Sequence, residues 1–198
     1  MPREMDVIAF ADAAEWESWL ADNHGRTDEA WLKIAKKGSG RTSVTLTEAL
    51  DVALCYGWID SHRRGYDQDH YLQRYSPRRP GGSWSQVNVG KVEALIAAGR
   101  VRAPGLAVIN AAKADGRWDA AYQAQRDATV PDDLANALAH NEKARARFEL
   151  LGKTHQYGLF LPLIKAKTPA GRATQLRRII ASLTAPELTP AGHPARPS

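Results

Sequence analysis

Residues 57–88 read GWIDSHRRGYDQDHYLQRYSPRRPGGSWSQVN, and this stretch contains most of the sequence features that indicate a site. Two short extended runs, residues 60–64 and 73–79, hold six Arg and Asp side chains among aromatic residues. A hairpin with a purely structural role in the core would not carry so many charged residues, because charged side chains are rarely buried unless they are paired. The stretch therefore predicts a functional site.

The same stretch predicts a hairpin, because residues 58–65 and 71–76 flank a polar turn. The simplest register places Arg63 opposite Arg74 and Ser61 opposite Ser76. Like charges that face each other across a ladder are destabilising, so we expect an anion or a protein carboxylate between the two arginines. A bulge would shift this register by one residue and move every side chain to the other face.

The predicted binding residues lie on the hairpin and on the helix start that follows it. Ser83 or Ser85 can cap a helix over residues 86–98, whose first-turn N–H groups favour anions. The aromatic members can stack on a base or a sugar, or they can belong to the core. The predicted ligand-binding residues are Trp58, Asp60, Ser61, Arg63, Arg74, Ser76, Arg78, Trp84, Ser85 and Asn88.

No set of residues in the hairpin qualifies as a catalytic triad. Asp60, Ser61 and His62 are neighbours on a strand, so they point to alternate faces. Asp60 alone can act as a general base, or it can form an ion pair that holds the hairpin to a helix. The turn acids and His70 could bind a metal, although acids at such positions commonly stabilise the turn itself. We predict no metal and no cofactor.

Composition and charge narrow the class of protein. No apolar run approaches the roughly 18 residues of a membrane-spanning helix, and the start of the chain lacks a basic n-region, so we expect a cytoplasmic protein without membrane insertion. The single cysteine, Cys55, excludes an intrachain disulfide. The net charge of +5 includes an acid-free basic run at residues 165–178, which suits an anionic partner or a solvated face.

The remaining patterns predict an α+β fold. Strands at 6–10, 29–36, 58–65 and 71–77 should form a small antiparallel sheet packed by helices, one of which begins at a capping box of Thr45 and Glu48. The glycine-rich basic run at 36–43 fits either a phosphate-binding loop or a flexible surface loop. The predicted domains are an α+β domain at 1–120, a helical module at 121–184 and a disordered tail at 185–198.

Several motifs resemble the YdeI/OmpD-associated family, whose members are also labelled bacteriocin-protection proteins. The motifs are residues 53–61, 63–64, 75–78 and 84–88, while residues 134–148 and 166–169, with Arg172, are similar to the family's helical module. The resemblance spans roughly residues 6–184. It implies a stress-linked protein and, through the family name, resistance to bacteriocins and association with an outer-membrane porin. It implies no catalytic residues.

Three functions are open on this sequence. The leading hypothesis is a binding protein that holds a phosphate-bearing small ligand or a nucleic acid at the Arg, Ser and Trp side chains of the hairpin. The second is a cofactor-independent enzyme that acts on a small polar substrate with Asp60 as general base. The third is a protein-interaction module that uses the basic C-terminal helix.

Overall fold

The computed structural model describes residues 6–185 of the chain, which divides after Tyr122 into two compact units. Each unit has its own apolar core. We refer to residues 6–122 as the sheet unit and to residues 123–185 as the helical unit. Except for Ala185, the predicted disordered tail lies outside the described residues.

The sheet unit is an α+β structure, as predicted, but its four-stranded sheet is mixed rather than antiparallel. The strand order is β1-β2-β4-β3, with β1 parallel to β2 and the other pairs antiparallel. A helix crosses over between β1 and β2, and such a connection permits parallel pairing. The elements are β1 Val7–Ile8, α1 Ala13–Asn23, β2 Ala30–Ala35, α2 Leu46–Cys55, β3 Trp58–Gly65, β4 His70–Pro77, α3 Gln86–Ala97 and α4 Ala103–Ala114.

Local capping signals set the ends of the helices in this unit. The Asp12 carboxylate accepts from the first-turn N–H groups of α1, and Thr45 and Glu48 form the predicted capping box at the start of α2. Gly57 follows α2 with a φ of +74°, which a side chain at this position would disfavour. These features satisfy helix-end groups that would otherwise lack partners.

The sheet has one face towards the helices and one outer face. Along β2, Ala30, Leu32 and Ile34 are buried, and the residues between them are only half-buried. The helix-side face packs against an aromatic core that includes Trp16 and Trp58. Because side chains alternate along a strand, the face on which a residue of β3 or β4 lies decides whether it can take part in a buried site.

The predicted register of β3 and β4 is wrong. Asp60 pairs with Tyr75, but Arg63 pairs with Gln73, so the ladder contains a bulge between Asp60 and Arg63. Arg63 therefore does not face Arg74, and the partner of Ser76 is Ile59 instead of Ser61. The bulge turns Arg63 to the helix-side face and leaves Arg74 on the outer face, as expected when one extra residue enters one strand.

Helix α4 approaches the end of α2 very closely at Gly105. A Cβ atom placed on Gly105 would lie 2.2 Å from the carbonyl oxygen of Cys55, which already accepts from the backbone N–H of Arg102. The absence of a side chain at Gly105 thus permits this contact. Cys55 itself is buried, and burial raises the pKa of its thiol.

The helical unit consists of α5 Asp132–Ala139, α6 Glu142–Leu150, α7 Lys153–Ile164 and α8 Pro169–Thr184. Its buried residues are all apolar. The Asn141 side chain caps α6 and the Thr168 side chain caps α8. Arg172 of α8 forms a two-pronged ion pair with Asp133 of α5, with Nε–Oδ2 and Nη2–Oδ1 distances of 2.7 and 2.9 Å.

Candidate functional site

A polar cluster lies on the helix-side face of the sheet, where an apolar core would be expected. It consists of Asp60, Tyr75, Arg78 and Trp84, and we call it the Asp60 cluster. Asp60 on β3 is the direct cross-strand partner of Tyr75 on β4. Tyr75 has no exposed surface, and its hydroxyl group has no hydrogen-bond partner among residues 6–185.

Arg78 and Trp84 form the other half of the cluster. The backbone N–H of Arg78 donates to the Gly57 carbonyl at 3.0 Å, which fixes the chain just after β4. The guanidinium carbon lies 3.6 Å from the centroid of the Trp84 ring, and Nη1 donates to the Ser83 carbonyl at 3.4 Å. Arg78 Nε and Trp84 Nε1 are both buried without an acceptor in the part of the chain that the structure describes.

These three unpaired groups are unusual in a folded protein. Buried polar side-chain atoms nearly always have a partner, and leaving one unpaired costs about 1–3 kcal/mol. Tyr75 Oη, Arg78 Nε and Trp84 Nε1 can all donate a hydrogen bond. They are the only buried side-chain atoms of this kind within residues 6–185. The cluster therefore presents donors for which these residues provide no acceptor.

Asp60 is the group that links the two halves electrostatically. Burial raises the pKa of the Asp60 carboxyl, against the opposing effects of its own backbone N–H, Arg63 and Arg78. Burial also lowers the pKa of Arg78 to about 10, although Tyr122 and Asp60 favour its charged form. Burial raises the pKa of Tyr75 well above its usual range, and the nearby Asp60 charge adds to that effect. A partly desolvated acid and base thus lie in one place.

Gln73, which lies next to this cluster on β4, holds the β3 bulge and the Arg63 side chain in place. It is only 2% exposed, and its amide nitrogen donates to the bulge carbonyls of Ser61 and His62 at 3.4 and 3.2 Å. Its oxygen accepts from Arg63 Nε at 3.0 Å, while the Arg63 guanidinium stacks 4.7 Å from the centroid of the Tyr71 ring. One buried amide therefore holds both the bulge and Arg63. Bulges of this kind commonly re-aim a side chain near a functional site.

Three of the predicted binding residues lie away from the Asp60 cluster, on the outer side of the hairpin. Arg74 forms an ion pair with Glu29 at 2.6 Å and donates to the Ser61 hydroxyl at 3.4 Å. Ser76 pairs with Ile59 on the same outer side. The proposed meeting of Arg63, Arg74 and Ser76 around one anion is wrong, because the bulge separates Arg63 from the other two.

The remaining predicted residues, Trp58, Ser85 and Asn88, are not members of the Asp60 cluster. Trp58 is 1% exposed and donates from Nε1 to the His24 carbonyl at 3.3 Å, so it belongs to the core and is not available for stacking on a ligand. Ser85 caps α3 by accepting from the Asn88 N–H at 3.2 Å, which confirms the predicted helix start. Asn88 is half-buried in the first turn of that helix.

The turn between β3 and β4 has a structural explanation. The Asp67 carboxylate accepts from the N–H groups of Asp69 and His70 at 2.8 and 2.7 Å, and Asp69 pairs with Arg41 at 3.0 Å. Across residues 6–185, no group of three or more His, Cys, Asp or Glu side chains is placed to hold a metal ion.

No helix in the same range has the length and apolar character needed to span a bilayer.

Sequence reasoning missed the roles of Gln73, Tyr75 and Tyr122. Gln73 is an uncharged polar residue that alternates with Tyr71 and Tyr75 on the buried face of β4. A single polar residue at such a position was the only sequence signal for its role. Tyr122 comes from a distant part of the chain: its N–H donates to the Trp84 carbonyl at 3.0 Å, and its carbonyl accepts from Gln86 at 2.9 Å. No local pattern predicts that contact.

Comparison with known families divides the chain much as the structure does. A family model described as Domain of unknown function (DUF8412) matches residues 8–108, just over half of the 198 residues. The chain belongs to this family. A second model, described as Bacteriocin-protection, YdeI or OmpD-Associated, matches residues 127–185. No curated protein matches the chain, and no solved structure does.

The YdeI/OmpD resemblance is therefore supported over a shorter range than the sequence motifs suggested. It holds for residues 127–185, which lie in the helical unit. The motifs between residues 53 and 88 fall within the match to the domain of unknown function. The Asp60 cluster accordingly belongs to the part of the chain whose family description states no function.

Proposed function

We propose that the sheet unit binds a small anionic ligand at the Asp60 cluster. The observation that carries this proposal is the set of three buried donors, Tyr75 Oη, Arg78 Nε and Trp84 Nε1, without acceptors in the described part of the chain. A phosphate or carboxylate oxygen is a strong acceptor for such groups, particularly for a guanidinium. Binding would satisfy groups whose burial otherwise destabilises the fold.

The Asp60 carboxylate also indicates which second group the ligand should carry. No residue between 6 and 185 donates a side-chain hydrogen bond to the Asp60 carboxylate, whose described interactions are with its own N–H and the charges of Arg63 and Arg78. A ligand hydroxyl or amine would supply that donor. The ligand class is therefore a small polar molecule that carries both an anionic group and a hydrogen-bond donor.

We favour a small ligand over a nucleic acid at this cluster. The donors are buried rather than arranged along an open groove, and residues 6–122 hold fifteen Lys and Arg against fifteen Asp and Glu. Proteins that bind nucleic acid through its backbone commonly show a basic excess on the binding domain. The sheet unit has no such excess.

Titration of the ¹⁵N-labelled protein with inorganic phosphate, and then with a pool of small phosphorylated and carboxylated metabolites, tests the proposal. We expect the Trp84 indole N–H signal, assigned with Trp84→Phe, to shift and saturate. Tyr75→Phe should weaken binding by about tenfold, because one hydrogen bond to a charged group is lost. Tyr66→Phe is the matched control, since Tyr66 is 52% exposed and remote in register from the cluster. An indole signal that no anion in the pool moves would refute the proposal.

A second candidate function is catalysis with Asp60 as general base. The observation that favours it is a half-buried carboxyl with a raised pKa, placed within the electrostatic influence of two arginines. Metabolites that raise the melting temperature would be incubated with wild type and with Asp60→Asn. Chemical conversion by wild type alone, with binding retained in Asp60→Asn, would establish an enzyme. Binding without conversion in both proteins would leave a binding protein.

A further inference from the structure

The glycine-rich loop predicted at residues 36–43 borders a cavity of about 640 Å³. The start of α2 forms a second wall of this cavity, and Arg63 and Tyr71 from the sheet form a third. The cavity is large enough for a small ligand. Its lining includes none of the residues that define the Asp60 cluster.

Arg63 is presented to this cavity by a buried residue. The bulge brings Arg63 to the helix-side face, Gln73 accepts from its Nε, and Tyr71 supports its planar face. Its two terminal nitrogens donate no hydrogen bond to any residue between 6 and 185. A guanidinium held at Nε, with both terminal nitrogens available, is suited to two-pronged recognition of an oxyanion.

The loop is fastened at both of its ends, so it is a defined wall. Lys36 Nζ donates to the carbonyls of Asp67 and Gln68 at 2.9 and 3.2 Å, and Arg41 pairs with Asp69 at 3.0 Å. Between these anchors, Gly38 and Gly40 adopt φ values of +83° and +71°. Backbone in this conformation can turn N–H groups towards a bound anion, as phosphate-binding loops do.

The start of α2 adds backbone donors on the facing wall. The capping box occupies the N–H groups of Thr45 and Glu48. Leu46 and Thr47 also line the cavity. Their N–H groups have no intrahelical acceptor because they lie in the first turn of α2. The Glu48 carboxylate is itself engaged by the Thr45 N–H and hydroxyl at 3.0 and 2.7 Å. Three separate segments that carry hydrogen-bond donors thus line the cavity.

We propose that this cavity binds the phosphate group of a small phosphorylated ligand, with Arg63 as the charged contact and Gln73 as a positioning residue. A tetrahedral phosphate dianion accepts hydrogen bonds from several directions, which matches donors on a loop, a helix start and a sheet edge. The site goes beyond anion binding at the Asp60 cluster and does not depend on it, although the Arg63 charge acts on both places.

The test is a titration of the full-length ¹⁵N-labelled protein with inorganic phosphate and with pyrophosphate. We expect the backbone amide signals of Gly38 and Gly40 to shift and saturate. Arg63→Met should weaken the affinity by about tenfold or more, because the charged hydrogen bonds are lost. Arg64→Met is the matched control: Arg64 is the next residue on β3, but its guanidinium stacks 4.6 Å from the Trp31 ring centroid on the outer face.

The role of Gln73 has its own readout. In Gln73→Leu we expect the side-chain Nε–H signal of Arg63 to lose its protection from exchange, together with a weaker response of Gly38 and Gly40 to phosphate. If Gln73→Leu fails to fold, Arg63→Lys replaces it, since lysine keeps the charge but lacks the planar fork. Equal affinity of Arg63→Lys and wild type for phosphate would overturn the positioning role.

The outcomes separate this inference from the proposed function. Tyr75→Phe should leave the responses of Gly38 and Gly40 intact. If Tyr75→Phe abolishes those responses and Arg63→Met does not, the phosphate binds at the Asp60 cluster, and the cavity proposal is wrong while the first proposal stands. If neither the two glycines nor the Trp84 indole responds to phosphate or pyrophosphate, the cavity proposal is also wrong.

Discussion

The sheet unit and the helical unit distribute their polar groups in opposite ways. In the sheet unit, charges balance at fifteen of each sign, yet polar side chains are buried within the fold. In the helical unit, residues 123–185 hold ten Lys and Arg against five Asp and Glu, while the buried side chains are all apolar. The net charge of the chain thus belongs to one unit, and the buried polar side chains belong to the other.

Part of the positive charge of the helical unit serves its own structure. Arg147 donates from Nη1 to the carbonyl of Leu183 at 3.2 Å and also to that of Ala185, both at the C-terminal end of α8. A cation at that end of a helix pairs with otherwise unsatisfied carbonyl groups and with the helix dipole. Arg172 is held by Asp133. A basic composition alone is therefore a poor indicator of an anion-binding surface in this unit.

The largest expected change in the free energy of unfolding comes from substituting one helix glycine in each unit. Gly105→Ala should destabilise the sheet unit by about 1–3 kcal/mol or more, because its Cβ would meet the Cys55 carbonyl at 2.2 Å. Gly158→Ala in α7 should stabilise the helical unit by about 0.5–1 kcal/mol, since Gly158 is exposed and no atom lies within 4 Å of the added Cβ.

Urea unfolding measures both effects. All six tryptophans lie in the sheet unit, so their fluorescence reports on Gly105→Ala, and far-UV circular dichroism reports on helix in both units. A Gly105→Ala protein as stable as wild type would mean that α4 does not approach α2 as closely as described. Loss of stability in Gly158→Ala would mean that the helix near residue 158 has a neighbour.

The sequence predicts those parts of this structure that depend on local interactions. The caps at Asp12, Thr45 and Ser85 and the glycine after α2 are set by neighbouring backbone groups, so the pattern of residue types suffices. Asp60 was also singled out as a candidate from the sequence, and the structure places it half-buried opposite Tyr75; its role stays a prediction.

The parts that were not predicted depend on contacts between distant residues. The bulge exists because Gln73, on the partner strand, satisfies the carbonyls of Ser61 and His62. Trp84 is buried because Trp118, which follows α4, packs 4.9 Å from its ring. Neither contact leaves a periodic signal, so the register and the membership of the Asp60 cluster required the three-dimensional structure.

An intermediate change in the free energy of unfolding is expected when one tyrosine hydroxyl is removed from each unit. Tyr75→Phe should leave the free energy of unfolding unchanged or raise it, because the buried hydroxyl has no partner in the described part of the chain. Tyr157→Phe should lower stability by about 0.5–1 kcal/mol, because the Tyr157 hydroxyl donates to the Gln123 carbonyl at 3.0 Å. Thermal unfolding in phosphate-free buffer compares the two. Marked destabilisation by Tyr75→Phe would show that its hydroxyl has a structural partner.

The smallest effect contrasts the pH dependence of two carboxyl groups. Burial raises the pKa of Asp60, whereas the hydrogen bond from Arg172 lowers the pKa of Asp133. A raised pKa means that ionisation of Asp60 destabilises the folded state as the pH rises above its usual value of 3.8. A lowered pKa means that the ionised form of Asp133 stabilises the fold, and that this contribution is lost as the pH falls below 3.8.

Substitution by asparagine should therefore have opposite signs in the two units. At pH 7 we expect Asp60→Asn to raise the melting temperature and Asp133→Asn to lower it, and both differences should shrink towards acid pH as the wild-type carboxyls become protonated. The experiment is thermal unfolding of the three proteins between about pH 2.5 and 8. If Asp60→Asn destabilises the protein at every pH, the Asp60 carboxylate is held by a structural ion pair with Arg63 or Arg78. In that case it would not be the unpaired acceptor that a ligand donor is proposed to meet.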